Sequence, residues 1–125
     1  MRKELTKQEI HNLAMNIVGK DLESKGYEFI AINSKLKKHP QFVCTDSSNQ
    51  QYFVIVQYVP VAKYPVPFDV IWMENFKQHA RKMDSKVLFA QVGLGDPDKP
   101  DDFPKLDLPY LLKYEGTQLL DIELN

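Results

Sequence analysis

Residues Gln51–Val59, Gln-Tyr-Phe-Val-Ile-Val-Gln-Tyr-Val, constrain the fold of this chain more than any other stretch. From Tyr52 to Val59 the run is apolar or aromatic except for one amide, Gln57, and none of its residues is charged. A strand with one wet face alternates polar and apolar side chains, whereas a strand covered on both faces is apolar almost throughout. The run therefore calls for a central strand with a layer on each side. A chain of 125 residues with 43% hydrophobic content can build one such core without disulfides or metal. Its single cysteine, Cys44, excludes an internal disulfide and reads as a buried, inert thiol.

The flanking sequence supplies the layers. Thr6-Lys7-Gln8-Glu9 is a capping box, with Leu5 and Ile10 spaced as a hydrophobic staple. Ile10, Leu13, Ala14, Ile17, Val18 and Leu22 then recur at helical spacing, which predicts a helix over residues 7–25 ended by Gly26. Residues 27–32 and 41–45 read as strands rich in β-branched and aromatic side chains. Between them Asn33–Pro40 forms a basic loop, and Asp46-Ser47-Ser48-Asn49 supplies the turn into the long strand.

Pro60, Pro65 and Pro67 make the next stretch an extended connector. Asp69 is placed to cap a second helix with an apolar face of Trp72, Met73, Phe76, Ala80 and Met83. Residues 86–93 form a fourth, buried strand, and residues 94–108 a long acidic loop. Pro109–Tyr114 and Thr117–Leu124 are expected to form a C-terminal β-hairpin turning at Glu115-Gly116. A helix between strands three and four makes those two strands parallel. The expectation is one α/β domain spanning residues 1–125, with a mixed central sheet.

This helix–strand–strand–strand–helix–strand order resembles the core of the PD-(D/E)xK nuclease superfamily, which includes restriction endonucleases and Holliday-junction resolvases. "DLESKGYEFIAIN" is similar to the first helix and strand of the small resolvase-like members, and "QFVCTDSSNQQYFVIVQYV" to their catalytic hairpin. The resemblance covers roughly residues 10–94 and implies a restriction-endonuclease-like αβββαβ core.

In that family an Asp on the second strand and an acid or Gln on the third hold Mg²⁺, and a Lys two residues on helps to activate water. Side chains two apart on a strand share a face, so the acid and the Lys converge on one phosphate. Laid onto this pattern, Ile55 stands at the acid position and Gln57 at the lysine position, with the first Asp within a residue or two of Phe42. None of the three can bind a hard cation or supply a lysine's charge.

The resemblance therefore implies a degenerate site at Phe42, Ile55 and Gln57: no catalytic residue, no metal and no cofactor. The leading expectation is a non-enzymatic binding or scaffolding module, acting on a partner protein or as a homodimer through an exposed helix or edge strand. Two alternatives stand beside it. One is a nucleic-acid binder using Lys35, Lys37 and Lys38. The other is a divergent Mg²⁺-dependent nuclease with acids relocated to Asp46, Glu28 and Glu74.

Other constellations have plainer readings. His11 and His79 fall on the polar sides of their helices and His39 in the basic loop, so all three read as solvated. Gly93-Leu94-Gly95-Asp96 lacks the rest of a phosphate loop and reads as turn chemistry. Asp96, Asp98, Asp101 and Asp102 lack the fixed glycine and terminal Glu of a Ca²⁺ loop and read as a solvated acidic loop. Net charge is −1, with eight Lys/Arg against five Asp/Glu in residues 1–40 and three against eight in residues 95–125. No global field draws such a chain onto nucleic acid or membrane. The absence of an apolar targeting segment or span fits a cytoplasmic protein.

Overall fold

The computed structural model describes residues 4–120. Its elements are α1 (Lys7–Ser24), β1 (Glu28–Ile32), β2 (Phe42–Thr45), β3 (Gln51–Pro60), a 3-10 turn (Val61–Lys63), α2 (Val70–Lys82), β4 (Ser85–Gly95), β5 (Leu111–Lys113) and β6 (Gln118–Leu119). The capping box is present in full: Glu9 N–H donates to Thr6 Oγ1 at 3.1 Å and Thr6 N–H to Glu9 Oε1 at 3.0 Å. Asp69 caps α2 by accepting from Trp72 N–H at 3.0 Å.

β1, β2 and β3 form an antiparallel meander, and β4 runs parallel to β3 from Gln51↔Ser85 to Pro60↔Leu94. The result is an α/β fold with a mixed, open sheet, six-stranded among the described residues, and two helices. The core divides by strand parity. Val54 and Val56 pack with Phe42, Cys44 and the inner face of α1, while Phe53 and Ile55 pack with Phe89 and with Met73 and Ala80 of α2. β3 is thus covered on both faces, which is why its side chains from Phe53 to Val56 are all buried. Burial pushes the Cys44 thiol up to about 11, so it stays protonated and inert. Among the described residues no helix is long and apolar enough to cross a membrane.

Several expectations are corrected. The C-terminal segments are not a hairpin. β5 and β6 both pair antiparallel with β4, at Leu94↔Leu112 and Gly93↔Lys113 and then at Phe89↔Gln118 and Leu88↔Leu119. Residues 114–117 between them make no ladder pairing, so β4 takes two short strands along one edge rather than a hairpin. β4 offers an open edge long enough to take both. The expected strand residues 121–124 lie outside the described residues.

β4 also runs on through Leu94 and Gly95, so the Gly93–Gly95 stretch is strand rather than turn. Its glycines serve close approach: a Cβ on Gly93 would stand 2.9 Å from Tyr64 Cβ, and one on Gly95 would overlap the Val61 side chain. The acidic loop is not uniformly solvated. Asp96 is buried, accepts from Asp98 N–H at 2.9 Å and pairs with Lys105 at 3.5 Å. The inner face of α2 is Met73, Lys77 and Ala80, while Trp72 and Met83 are exposed.

Candidate functional site

β2 begins at Phe42 opposite Val54, so the second half of β3 runs on with no strand on that side. Strand geometry turns the peptide groups of Val54, Val56 and Tyr58 toward this open edge, since residues two apart share a direction. Gln41 substitutes for the missing strand. Its backbone N–H donates to the Val54 carbonyl at 2.9 Å, and its side-chain oxygen accepts from Val56 N–H at 2.7 Å. Its amide nitrogen donates to the Lys38 carbonyl at 2.8 Å and lies 2.9 Å from His39 Nδ1, which makes Nδ1 the accepting nitrogen of that ring. Gln41 is fully buried and spends every polar atom in closing the sheet end.

Beyond Gln41 the edge opens into a pocket of about 290 Å³. α1 contributes His11, the basic loop Leu36, Lys37 and His39, and β3 the stretch Ile55–Tyr58. The N-terminus of α2 contributes Asp69, Trp72 and Met73, with Phe68 and Phe89 completing the wall. The basic loop is fixed to α1 because Leu36 N–H donates to Gln8 Oε1 at 2.9 Å. Trp72 stacks on Phe76 at 5.3 Å with the ring planes nearly parallel, and meets the His39 ring edge-on at 4.9 Å.

Gln57 lines this pocket. Its side-chain oxygen accepts from Gln91 Nε2 at 2.8 Å, Gln91 being its register neighbour on β4. Gln91 also donates to the Val66 carbonyl and accepts from Val66 N–H, both at 2.8 Å, and so holds the proline-rich connector to the sheet as a strand would.

His11 corrects the sequence reading. It is 2% exposed rather than solvated, and its Nε2 has no hydrogen-bond partner. Burial, then the charge of His39, holds its pKa below the usual imidazole range. Partial desolvation lowers that of His39 as well, although this ring is itself exposed. A neutral imidazole has one donor and one acceptor nitrogen, so an unpaired buried one is costly, about 1–3 kcal/mol. The signal was in the spacing. His11 continues the buried line Met15, Val18 and Leu22 at helical intervals, and the face of α1 that packs is turned toward it.

Of the sequence-predicted site residues, Ile55 and Gln57 are brought together on the pocket wall. Phe42 is not. It pairs with Val54 and packs under α1, 5.2 Å from Phe29, on the opposite face of the sheet. The residue beside Ile55 is Gln41, one position earlier, because a one-residue slip changes the face. Lys37 lines the pocket, whereas Lys35 and Lys38 are exposed on the loop outside it.

The relocated acids do not converge. Asp46 sits in the β2–β3 turn and accepts from Tyr52 Oη at 2.9 Å. Glu28 pairs across from the neighbouring Thr45, and Glu74 pairs with Lys77 at 2.9 Å on α2. Among the described residues no three His, Cys, Asp or Glu side chains form a group that could hold a metal ion. The acid that does reach the pocket is Asp69, which sequence reasoning treated only as a helix cap.

The profile of a family described as Domain of unknown function (DUF8840) matches residues 8–120. The chain belongs to that family. The matched span runs from the first turn of α1 past β6 and includes every residue of the pocket. No curated protein matches the chain.

Proposed function

We propose that the protein is a non-catalytic binding domain on a nuclease-like core, with the pocket at the open end of β3 as its binding site. The order α1-β1-β2-β3-α2-β4, with β4 parallel to β3, supports the core. The observation that carries the reading is the pairing of Ile55 and Gln57 on the pocket wall. These are the positions at which the resemblance would put an acid and a lysine. The polar groups that reach the pocket with them are mainly neutral imidazoles and amides, which suit hydrogen-bonded recognition rather than phosphoryl transfer. A reducing cytoplasm suits the one buried thiol.

The test is incubation with Mg²⁺ or Mn²⁺ and plasmid, single-stranded DNA and RNA. No cleavage is expected. Cleavage that disappears in Asp69→Asn or Asp46→Ala overturns the reading in favour of a divergent nuclease.

Lys37 favours a second reading, because it joins the pocket to the exposed Lys35 and Lys38. Nucleic-acid binding through this loop would weaken steeply with salt, and the salt slope would flatten in a Lys35/Lys37/Lys38 triple alanine variant.

A further inference from the structure

We propose that the pocket at the end of β3 binds a single nucleobase, held edge-on by His11 and Gln57 and enclosed by aromatic side chains. This rests on reading the pocket as a binding site, and it names the chemistry of the occupant.

The first observation is the unpaired nitrogen of His11. The line Met15, Val18 and Leu22 could be continued by any apolar side chain, yet an imidazole stands there, buried and unsatisfied. His11 lines the cavity, and its unpaired nitrogen, covered in the free protein, would be completed by a ligand that displaces the groups over it. The second is Gln57. Its oxygen is occupied by Gln91, while its amide nitrogen has no partner among the described residues. The lining thus offers an amide donor on the α2 side of the β3 edge and, from α1 on the other side of that edge, a neutral ring with one donor and one acceptor nitrogen.

The third is the balance of charge. Lys37 and Asp69 are opposite in sign, and the pKa values of the buried His11 and of the partly desolvated His39 both lie below the usual imidazole value. Lys37 and Asp69 offset each other, so the lining carries no net charge to draw either an anion or a cation. The occupant is therefore uncharged where it is buried. The fourth is the wall itself, since Phe68, Phe89 and Trp72 present aromatic surface. The volume, about 290 Å³, lies at the low end for ligand pockets and suits one or two fused rings.

A flat, uncharged aromatic ring with a donor–acceptor edge is a nucleobase, and protein pockets recognise unstacked bases by this combination of stacking and edge contacts. The sugar would lie toward Lys37. Two sources share this chemistry: a free base or nucleoside, and an unpaired base of a single strand whose phosphates reach Lys35 and Lys38.

Trp72 is the only tryptophan of the chain, so its fluorescence reports on the pocket directly. The experiment titrates adenosine, guanosine, cytidine, uridine and short single-stranded homo-oligomers, reading Trp72 emission and the thermal midpoint. At least one base should give a saturable emission change and a raised midpoint. His11→Leu should weaken that binding about tenfold or more, while raising the midpoint of the unliganded protein. Gln57→Glu keeps an acceptor for Gln91, removes the free donor and adds a negative charge to the wall, so it should weaken binding of an uncharged base.

Tighter binding of an oligomer, lost in the Lys35/Lys37/Lys38 triple alanine variant, assigns the strand as source. Equal binding of the nucleoside assigns the free ligand. The proposal is overturned if no nucleoside or oligomer changes emission or midpoint at millimolar concentration, or if both variants bind like the parent. Stabilisation only by compounds of another class also overturns it, but leaves the pocket as a binding site. Metal-dependent cleavage would instead remove the binding-domain reading.

Discussion

At the scale of single residues, Gln57 and His11 show how polar groups enter a buried sheet end. Gln57 is tolerated in an apolar strand because Gln91 stands beside it in register and completes its oxygen. His11 has no such partner, and this has a consequence for acid stability. Its folded pKa lies below the ordinary value of 6.5, with burial the leading cause, and His39 is lowered in the same way. Well above pH 6.5 the rings are neutral in both states. As pH falls below that value the unfolded chain takes up protons first, so stability drops. Asp46, held low first by the Tyr52 hydroxyl, and Asp96, held low first by Asp98 N–H, act only at more acidic pH. Urea denaturation between about pH 7 and 5 should show this loss, and His11→Leu should flatten it. An unchanged slope would mean that His11 ionises freely in the fold. From sequence, Gln57 was visible as an anomaly, but its partner thirty-four residues on was not, because register belongs to the sheet. His11 was misread because a polar residue type outweighed a helical position.

At the scale of elements, α1 and β3 were legible to within a residue or two, and α2 through its cap at Asp69, because each has a strong period, a long apolar run or a side-chain cap. The ends of β4 and the pairing of β5 and β6 were not. Glycines in a strand look like turn chemistry until the neighbouring chain that crosses them is known. Gly95 carries a checkable consequence: an added methyl group would overlap the Val61 side chain and stand 3.1 Å from the Pro100 carbonyl oxygen. Gly95→Ala should destabilise the protein by about 1–3 kcal/mol in urea unfolding. A variant as stable as the parent would show that the 3-10 turn can move away from β4 at little cost. Phe42 and Gln41 mark the limit of alignment by texture, since a slip of one residue puts a core phenylalanine where a pocket amide belongs.

At the scale of the whole molecule, the sheet is strongest at its centre. β3 and β4 share the longest register and both are largely buried, whereas β1 is an edge strand with Ile30 and Ile32 exposed. β5 and β6 are short and exposed. Native-state hydrogen exchange should therefore be slowest in β3 and β4 and faster in β1, β5 and β6. Uniform protection across all six would argue against this gradient. The pocket belongs to the same scale: it needs α1, the basic loop, β3 and the start of α2, so no local motif could announce it. The pair of short strands beside β4 has a consequence for biosynthesis. β4 is the most deeply buried strand of the described chain, and the residues that line its far edge are translated after it. At ribosomal speed that edge stays uncovered for roughly a few seconds, long enough for it to pair with another chain. The nascent protein thus passes through an aggregation-sensitive interval that ends when β5 and β6 emerge.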